Sequence, residues 1–102
     1  MMANLKAIIV DDERLARINL RRLLEPFPEI EIAGEASSCE SALELIKLYN
    51  PQLIFLDIQL SGETGFDLLE IIEKSINIIF VTAYDEYAIR AFEVNVIDYL
   101  LK

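Results

Sequence analysis

Carboxylates, a hydroxyl and an ammonium stand where the apolar runs of this sequence stop. "LKAIIVDDERLARINL" passes from a greasy run, Leu5 to Val10, straight into Asp11 and Asp12, with Glu13 behind them. Asp57 closes "QLIFLD", Thr82 closes "NIIFVT", and Lys102 follows "VIDYLL". The chain has no histidine, which removes Ser-His-Asp and Cys-His catalysis and the commonest zinc ligand together. Any chemistry falls to carboxylates, hydroxyls and lysines.

Carboxylates crowded together repel, and each resists ionisation unless a cation offsets the others. An all-oxygen donor set with few ligands suits Mg²⁺, which keeps several waters and takes one or two carboxylates plus phosphate oxygens. A Mg²⁺, a lysine and a hydroxyl donor around one carboxylate make a site for phosphoryl transfer with Asp57 as the nucleophile. Each residue also has an ordinary explanation. Asp11, Asp12 and Glu13 would each favour the positive end of a following helix by about 0.3–1 kcal/mol. Asp57 could open a loop, Thr82 could serve as a β-branched strand residue, and Lys102 could be a solvated charge. The sharper explanation requires a fold that brings all of them to one edge.

Composition narrows the field. At 102 residues, 54% hydrophobic and with only three Gly and three Pro, the chain reads as one globular domain spanning 1–102. With 18 acids against 9 bases, a formal charge of −9, direct nucleic-acid contact by this chain is not expected. No apolar run approaches the roughly 20 residues of a membrane span, and "MMANLKA" has no signal-peptide core, so a cytoplasmic location without membrane contact is expected. The lone Cys39 reads as ordinary packing.

The elements that must position the polar residues alternate in type. Short continuous apolar runs at 6 to 10, 29 to 34, 52 to 57, 77 to 82 and 96 to 101 read as strands buried on both faces. Helical spacing separates them. Residues 13 to 25 align Ala16, Leu20, Leu23 and Leu24. Residues 39 to 49, with Ser38 as N-cap, repeat Ala42, Leu45, Ile46 and Tyr49. Residues 65 to 74 carry Phe66, Leu68, Leu69 and Ile72, and residues 85 to 93, after an Asp85 cap, carry Tyr87, Ala88, Ala91 and Phe92. "EPFPE" and "NPQ" mark turns. A β-α alternation of this kind predicts an α/β fold, a parallel sheet with right-handed crossovers and helices on both faces. Its ligand crevice lies beyond the carboxyl ends of the strands, where Asp11, Asp12, Glu35, Asp57, Thr82 and Lys102 all fall.

These motifs, in this order, resemble the receiver domain of two-component response regulators. "IIVDDE" resembles its acidic pair, "LIFLDIQLSGETGFDLL" its phosphoacceptor segment, "IIFVTAY" its Ser/Thr strand and "VIDYLLK" its lysine strand. "TAYDEYAIRAFEVNVIDYLLK" looks most like receivers that precede LytTR-type DNA-binding domains. The resemblance implies a doubly wound, flavodoxin-like sheet of five strands in the order 2-1-3-4-5, here without the fifth helix. It implies that Asp57 accepts a phosphoryl group from a sensor histidine kinase, or from acetyl phosphate. Asp12 and Asp57 would ligate Mg²⁺, with Asp11 direct or through water and the Gln59 carbonyl as a further ligand. Thr82 would hydrogen-bond one phosphoryl oxygen, Lys102 would pair with another, and the small Ala83 would leave the acyl phosphate accessible. Tyr99 matches the switch aromatic that responds to Thr82. The domain would be a switch and not a turnover enzyme, a homodimer is expected, and a fragment ending at Lys102 is expected to self-associate over its uncovered sheet face.

One departure concerns the loop after Asp57, where the family usually has Met-Pro and this chain has Leu60-Ser61; Gly65 stands where the pattern expects it. Two other classes compete. A haloacid-dehalogenase-like phosphohydrolase would need a second Asp two positions after the nucleophile, and that position is Gln59. A pseudo-receiver would keep the acidic pocket without taking phosphate.

Overall fold

In the computed structural model, residues 4–60, 62–72, 76–82 and 98–101 are described, Thr82 and 98–101 by backbone alone. The elements run β1 Leu5–Val10, α1 Arg14–Leu24, β2 Ile30–Ala36, α2 Cys39–Tyr49, β3 Leu53–Leu56, β4 Gln59–Leu60, β5 Glu63–Thr64, α3 Gly65–Leu69, β6 Asn77–Thr82 and β7 Asp98–Leu101. Five strands form one sheet in the order β2-β1-β3-β6-β7, and every pairing within it is parallel. This is the expected doubly wound order. Among the described residues no helix is long and apolar enough to cross a membrane.

The central strands are apolar without alternation because both of their faces are covered. Along β1, Ala7 and Ile9 join Leu20, Leu53 and Phe55 on one face of the sheet. Ile8 and Val10 face the other way, into a layer with Ile54, Leu56, Phe80, Ala42 of α2 and Phe66 and Leu68 of α3. The rings of Phe66 and Phe80 meet with centroids 5.1 Å apart and planes tilted by 56°, an edge-leaning arrangement favoured by the ring quadrupoles. The pairing of β1 with β2 shifts between Ala7 and Ile8, where Ile8 lies opposite Gly34 and Ala33 is passed over.

Helix α2 has matching ends. The Ser38 hydroxyl accepts the Ser41 N–H at 3.1 Å while the Ser38 N–H donates to the Ser41 hydroxyl, a reciprocal capping box. At the other end Asn50 takes a left-handed conformation, φ 48°, and donates to the Ile46 carbonyl, with Pro51 following. Helix α1 begins at Arg14 with Glu13 as an extended N-cap whose side chain makes no cap hydrogen bond, and its first turn holds no acid. Glu13 is therefore a cap position, not the first-turn acid the sequence suggested.

Three expectations need correction. Leu23 was placed on the buried stripe of α1, yet it is 70% exposed while Leu20 is buried. The third helix was expected over 65 to 74 and ends at Leu69. There the chain tightens, the Ile71 N–H donating to the Leu68 carbonyl at 3.1 Å. Ile72 still packs against the core from beyond the helix, so the apolar spacing reported burial rather than helix length. Third, the segment after Asp57 is no simple loop: β4 and β5 pair antiparallel, Gln59 opposite Thr64 and Leu60 opposite Glu63. Gly62 supplies the φ of +74° at their turn, a conformation that glycine adopts without a Cβ penalty. The expected fourth helix at 85 to 93 and its Asp85 cap lie outside the described residues.

Candidate functional site

The carboxyl ends of β1 and β3 lie side by side because Val10 pairs with Leu56. The next residue on each strand is an aspartate. The Asp57 N–H donates to the Val10 carbonyl at 2.9 Å and the Asp11 N–H to the Ala36 carbonyl at 3.0 Å, so main-chain bonds carry the pairing past the last strand residues. Asp11 and Asp57 are only 5% and 4% exposed. Carboxylates buried this deeply are held by partners or cations.

Asp12 and Glu13 complete the cluster from its more open side. One carboxylate oxygen from each of Asp11, Asp12, Glu13 and Asp57 falls in a group whose members all lie within 4.8 Å of one another. Sequence reasoning brought together Asp11, Asp12 and Asp57 but set Glu13 aside. Its direct adjacency to the pair was the available signal, outweighed by its expected place in a helix. Local hydrogen bonds shape the cluster. The Glu13 N–H donates to Asp11 Oδ1 at 2.9 Å, and the Gln59 N–H reaches Asp57 Oδ1 at 3.3 Å. Asp11 thus closes a turn ahead of α1, whose N-cap is Glu13, and does not itself cap the helix.

Gly65 closes the floor. Its N–H donates to the Ile58 carbonyl at 2.7 Å, and a Cβ at this position would lie 2.5 Å from the Asp57 carbonyl oxygen and 3.0 Å from Leu56. Only glycine admits so close a backbone approach. On the far side of β3, Leu56 pairs with Phe80, and Thr82 stands two residues further along β6, opposite Leu101 of β7. The backbone of Thr82 therefore lies at the same carboxyl edge as Asp57. Tyr99 lies in β7 opposite Phe80. Lys102 and Ala83 lie outside the described residues. Glu35, also at the end of an expected strand, is inside β2 and turned to another task, accepting from Arg17 and Arg21 of α1.

Residues 7–102 match the family of response regulator receiver domains. This chain belongs to that family. Among curated proteins the receiver domain is similar to the sensory transduction protein LytT of Bacillus cereus, 52% identical over 101 residues, covering 96% of this chain and 41% of that protein. LytT of Bacillus subtilis is 46% identical over 101 residues, with 96% and 42% covered. The chain thus spans about two-fifths of the length of these relatives. Among solved structures, the response regulatory domain of protein mrkE from Klebsiella pneumoniae superposes with a TM-score of 0.84 at 34% identity, covering 95% of this chain and 82% of that one. A LytT-like receiver of two-component systems is what the sequence motifs led us to expect.

Proposed function

We propose that Asp57 accepts a phosphoryl group from a sensor histidine kinase in a Mg²⁺-dependent reaction. The observation that carries this is a carboxylate 4% exposed at the end of a central strand, with carboxylate oxygens of three other acids within 4.8 Å. An Asp57 carboxylate oxygen attacks phosphorus, the bond from phosphorus to the donor's leaving group breaks with its electron pair, and an acyl phosphate results. The donor is a phosphohistidine or a small acyl phosphate such as acetyl phosphate.

The donor set is all oxygen, close-spaced and acidic, which fits a hard divalent ion. Asp11, Asp12 and Asp57 would hold Mg²⁺, with the Gln59 carbonyl as a further ligand. When bound, the ion offsets the charge gathering on the phosphoryl oxygens. The remaining work is done by the chain. Burial strips water from the nucleophile, the Gln59 N–H orients Asp57 Oδ1, and the close approach of Gly65 packs the floor against the Asp57 main chain. Thr82 would donate to one phosphoryl oxygen and Lys102 would pair with another, both by motif match.

Phosphorylation takes Asp57 from one negative charge to about two and adds strong acceptors. Thr82 would move toward them and Tyr99 would follow, which switches the face beyond β6 and β7 and favours a homodimer. In a longer protein like LytT, that switch would govern a LytTR-type DNA-binding domain, while this chain, at −9, would leave DNA contact to it. A cytoplasmic setting suits a kinase donor. The module modifies itself once per cycle and is not a turnover enzyme. Incubation with Mg²⁺ and acetyl phosphate, read by intact mass, is expected to add one phosphoryl group that is absent without Mg²⁺ and in Asp57→Asn. No adduct, or one that survives the substitution, rejects the assignment.

A further inference from the structure

We infer that Arg17 is the positioning residue of the acidic pocket, acting through the main chain of Asp11; the inference rests on the Mg²⁺-dependent function proposed above. The guanidinium of Arg17 reaches back from α1 and donates through Nη1 to the Asp11 carbonyl at 2.7 Å. Its Nε donates to Glu35 Oε1 at 2.9 Å, and the other Glu35 oxygen accepts from Arg21. The fork is therefore held at both prongs, and the side chain is only 18% exposed. A planar guanidinium with two fixed acceptors keeps a direction that a flexible ammonium cannot.

The geometry matters because of what the Asp11 carbonyl belongs to. That carbonyl is half of the planar peptide joining Asp11 to Asp12, so its direction fixes that plane and constrains where the Asp12 side chain leaves the backbone. On the other side of Asp11, its N–H donates to the Ala36 carbonyl. Neighbouring residues of β2 thus fix both sides of Asp11, Ala36 directly and Glu35 through Arg17. One oxygen of its carboxylate, Oδ1, accepts the Glu13 N–H, which ties the start of α1 to the same point.

Electrostatics and positioning predict opposite signs, which makes the inference decidable. A cation beside a divalent-ion site weakens binding, so removing a charge that served only as a charge would tighten Mg²⁺. Removing a clasp that aims the ligands loosens it. The decisive measurement is a Mg²⁺ titration of the 102-residue chain followed by backbone amide NMR, with Arg17→Met, Arg17→Lys and Arg21→Met. Both Arg17 variants are expected to raise the Mg²⁺ midpoint by about tenfold, as loss of a partner that orients ligands does elsewhere. Arg21→Met, which removes the same charge from the same helix and among the described residues hydrogen-bonds Glu35 and not the Asp11 carbonyl, is expected to leave it unchanged.

Tighter binding in Arg17→Met with Arg17→Lys unchanged overturns the inference, as does an unchanged midpoint in both. Should Arg17→Met fail to fold, Arg17→Lys decides alone. In metal-free protein, exchange of the Glu13 amide is expected to accelerate in the Arg17 variants and not in Arg21→Met; equal exchange in all three overturns it. Absence of any Mg²⁺ response in the unsubstituted chain would instead reject the Mg²⁺-dependent function, and the metal-free exchange comparison then judges Arg17 separately.

Discussion

Gly65 sits so close to Asp57 that a Cβ on the first would be 2.5 Å from the carbonyl oxygen of the second. Three chain segments meet at this point, since Leu56 and Phe80 are the next atoms such a Cβ would touch, at 3.0 and 3.2 Å. The obstacle is a main-chain carbonyl in a packed interior and cannot swing aside like the tip of a flexible side chain. Gly65→Ala is therefore expected to destabilise the domain by about 1–3 kcal/mol, as overpacking does. Urea unfolding with the slope held fixed measures this, and a midpoint equal to that of the parent protein would contradict it.

The four clustered carboxylates carry a stability cost whenever no cation is present. Asp12→Asn keeps shape and removes one charge, so in a chelator it is expected to raise stability by up to about 1 kcal/mol, the scale of a pair at this spacing in a screened setting. The same substitution is expected to shrink the thermal stabilisation that Mg²⁺ confers, since ligand binding to the folded state alone stabilises by mass action. Thermal unfolding with and without Mg²⁺ gives both quantities, and an unchanged Mg²⁺ increment would remove Asp12 from the ligand set.

Glu35 links pH to stability. Burial works to raise its pKa, but hydrogen bonds and charge from Arg21 and Arg17 outweigh burial and hold the carboxyl below its usual value of 4.5. The unfolded chain then binds more protons than the folded one across that window, so stability rises with pH through it. The contribution is fully present above the unfolded value and fades as pH falls through the folded one. The stability difference between the parent protein and Glu35→Gln is expected to be present at neutral pH and to vanish in acid; a difference independent of pH would contradict it.

Cys39 is 7% exposed, and its thiol pKa is raised to about 11 by burial first and then by the charge of Glu63, whose carboxylate accepts the Cys39 N–H at 2.6 Å, with Asp67 adding to it. Because the thiolate is the nucleophile, alkylation of native protein at neutral pH is expected to be slow and to quicken in Glu63→Gln, which removes the charge and keeps an acceptor. Mass-resolved alkylation kinetics test this, and equal rates in the two proteins would show that the Glu63 charge contributes nothing to the protection.

The polar edge was legible because parallel strands buried on both faces announce themselves as unbroken apolar runs, and the residue after each run then lies at the crevice. Strand β6 matches its expected span of 77 to 82 residue for residue, and Ser38 caps α2 as its type and place indicated. The ribbon of Gln59–Leu60 and Glu63–Thr64 was invisible because two-residue strands are too short to have a period. The roles of Arg17 and Glu35 were hidden for another reason. Their meeting joins a helix to a strand eighteen positions away, and among four arginines spaced along one helix nothing in the sequence says which one turns inward.

Ala7 to Val10 deliver alternate side chains to opposite faces of the sheet and end in the pocket's first aspartate. A slip of one residue in β1 would send every one of them to the wrong layer at once, and would turn Asp11 away from Asp57 in the same motion. The place of the acidic edge along the strand is thus locked by the packing of both layers together.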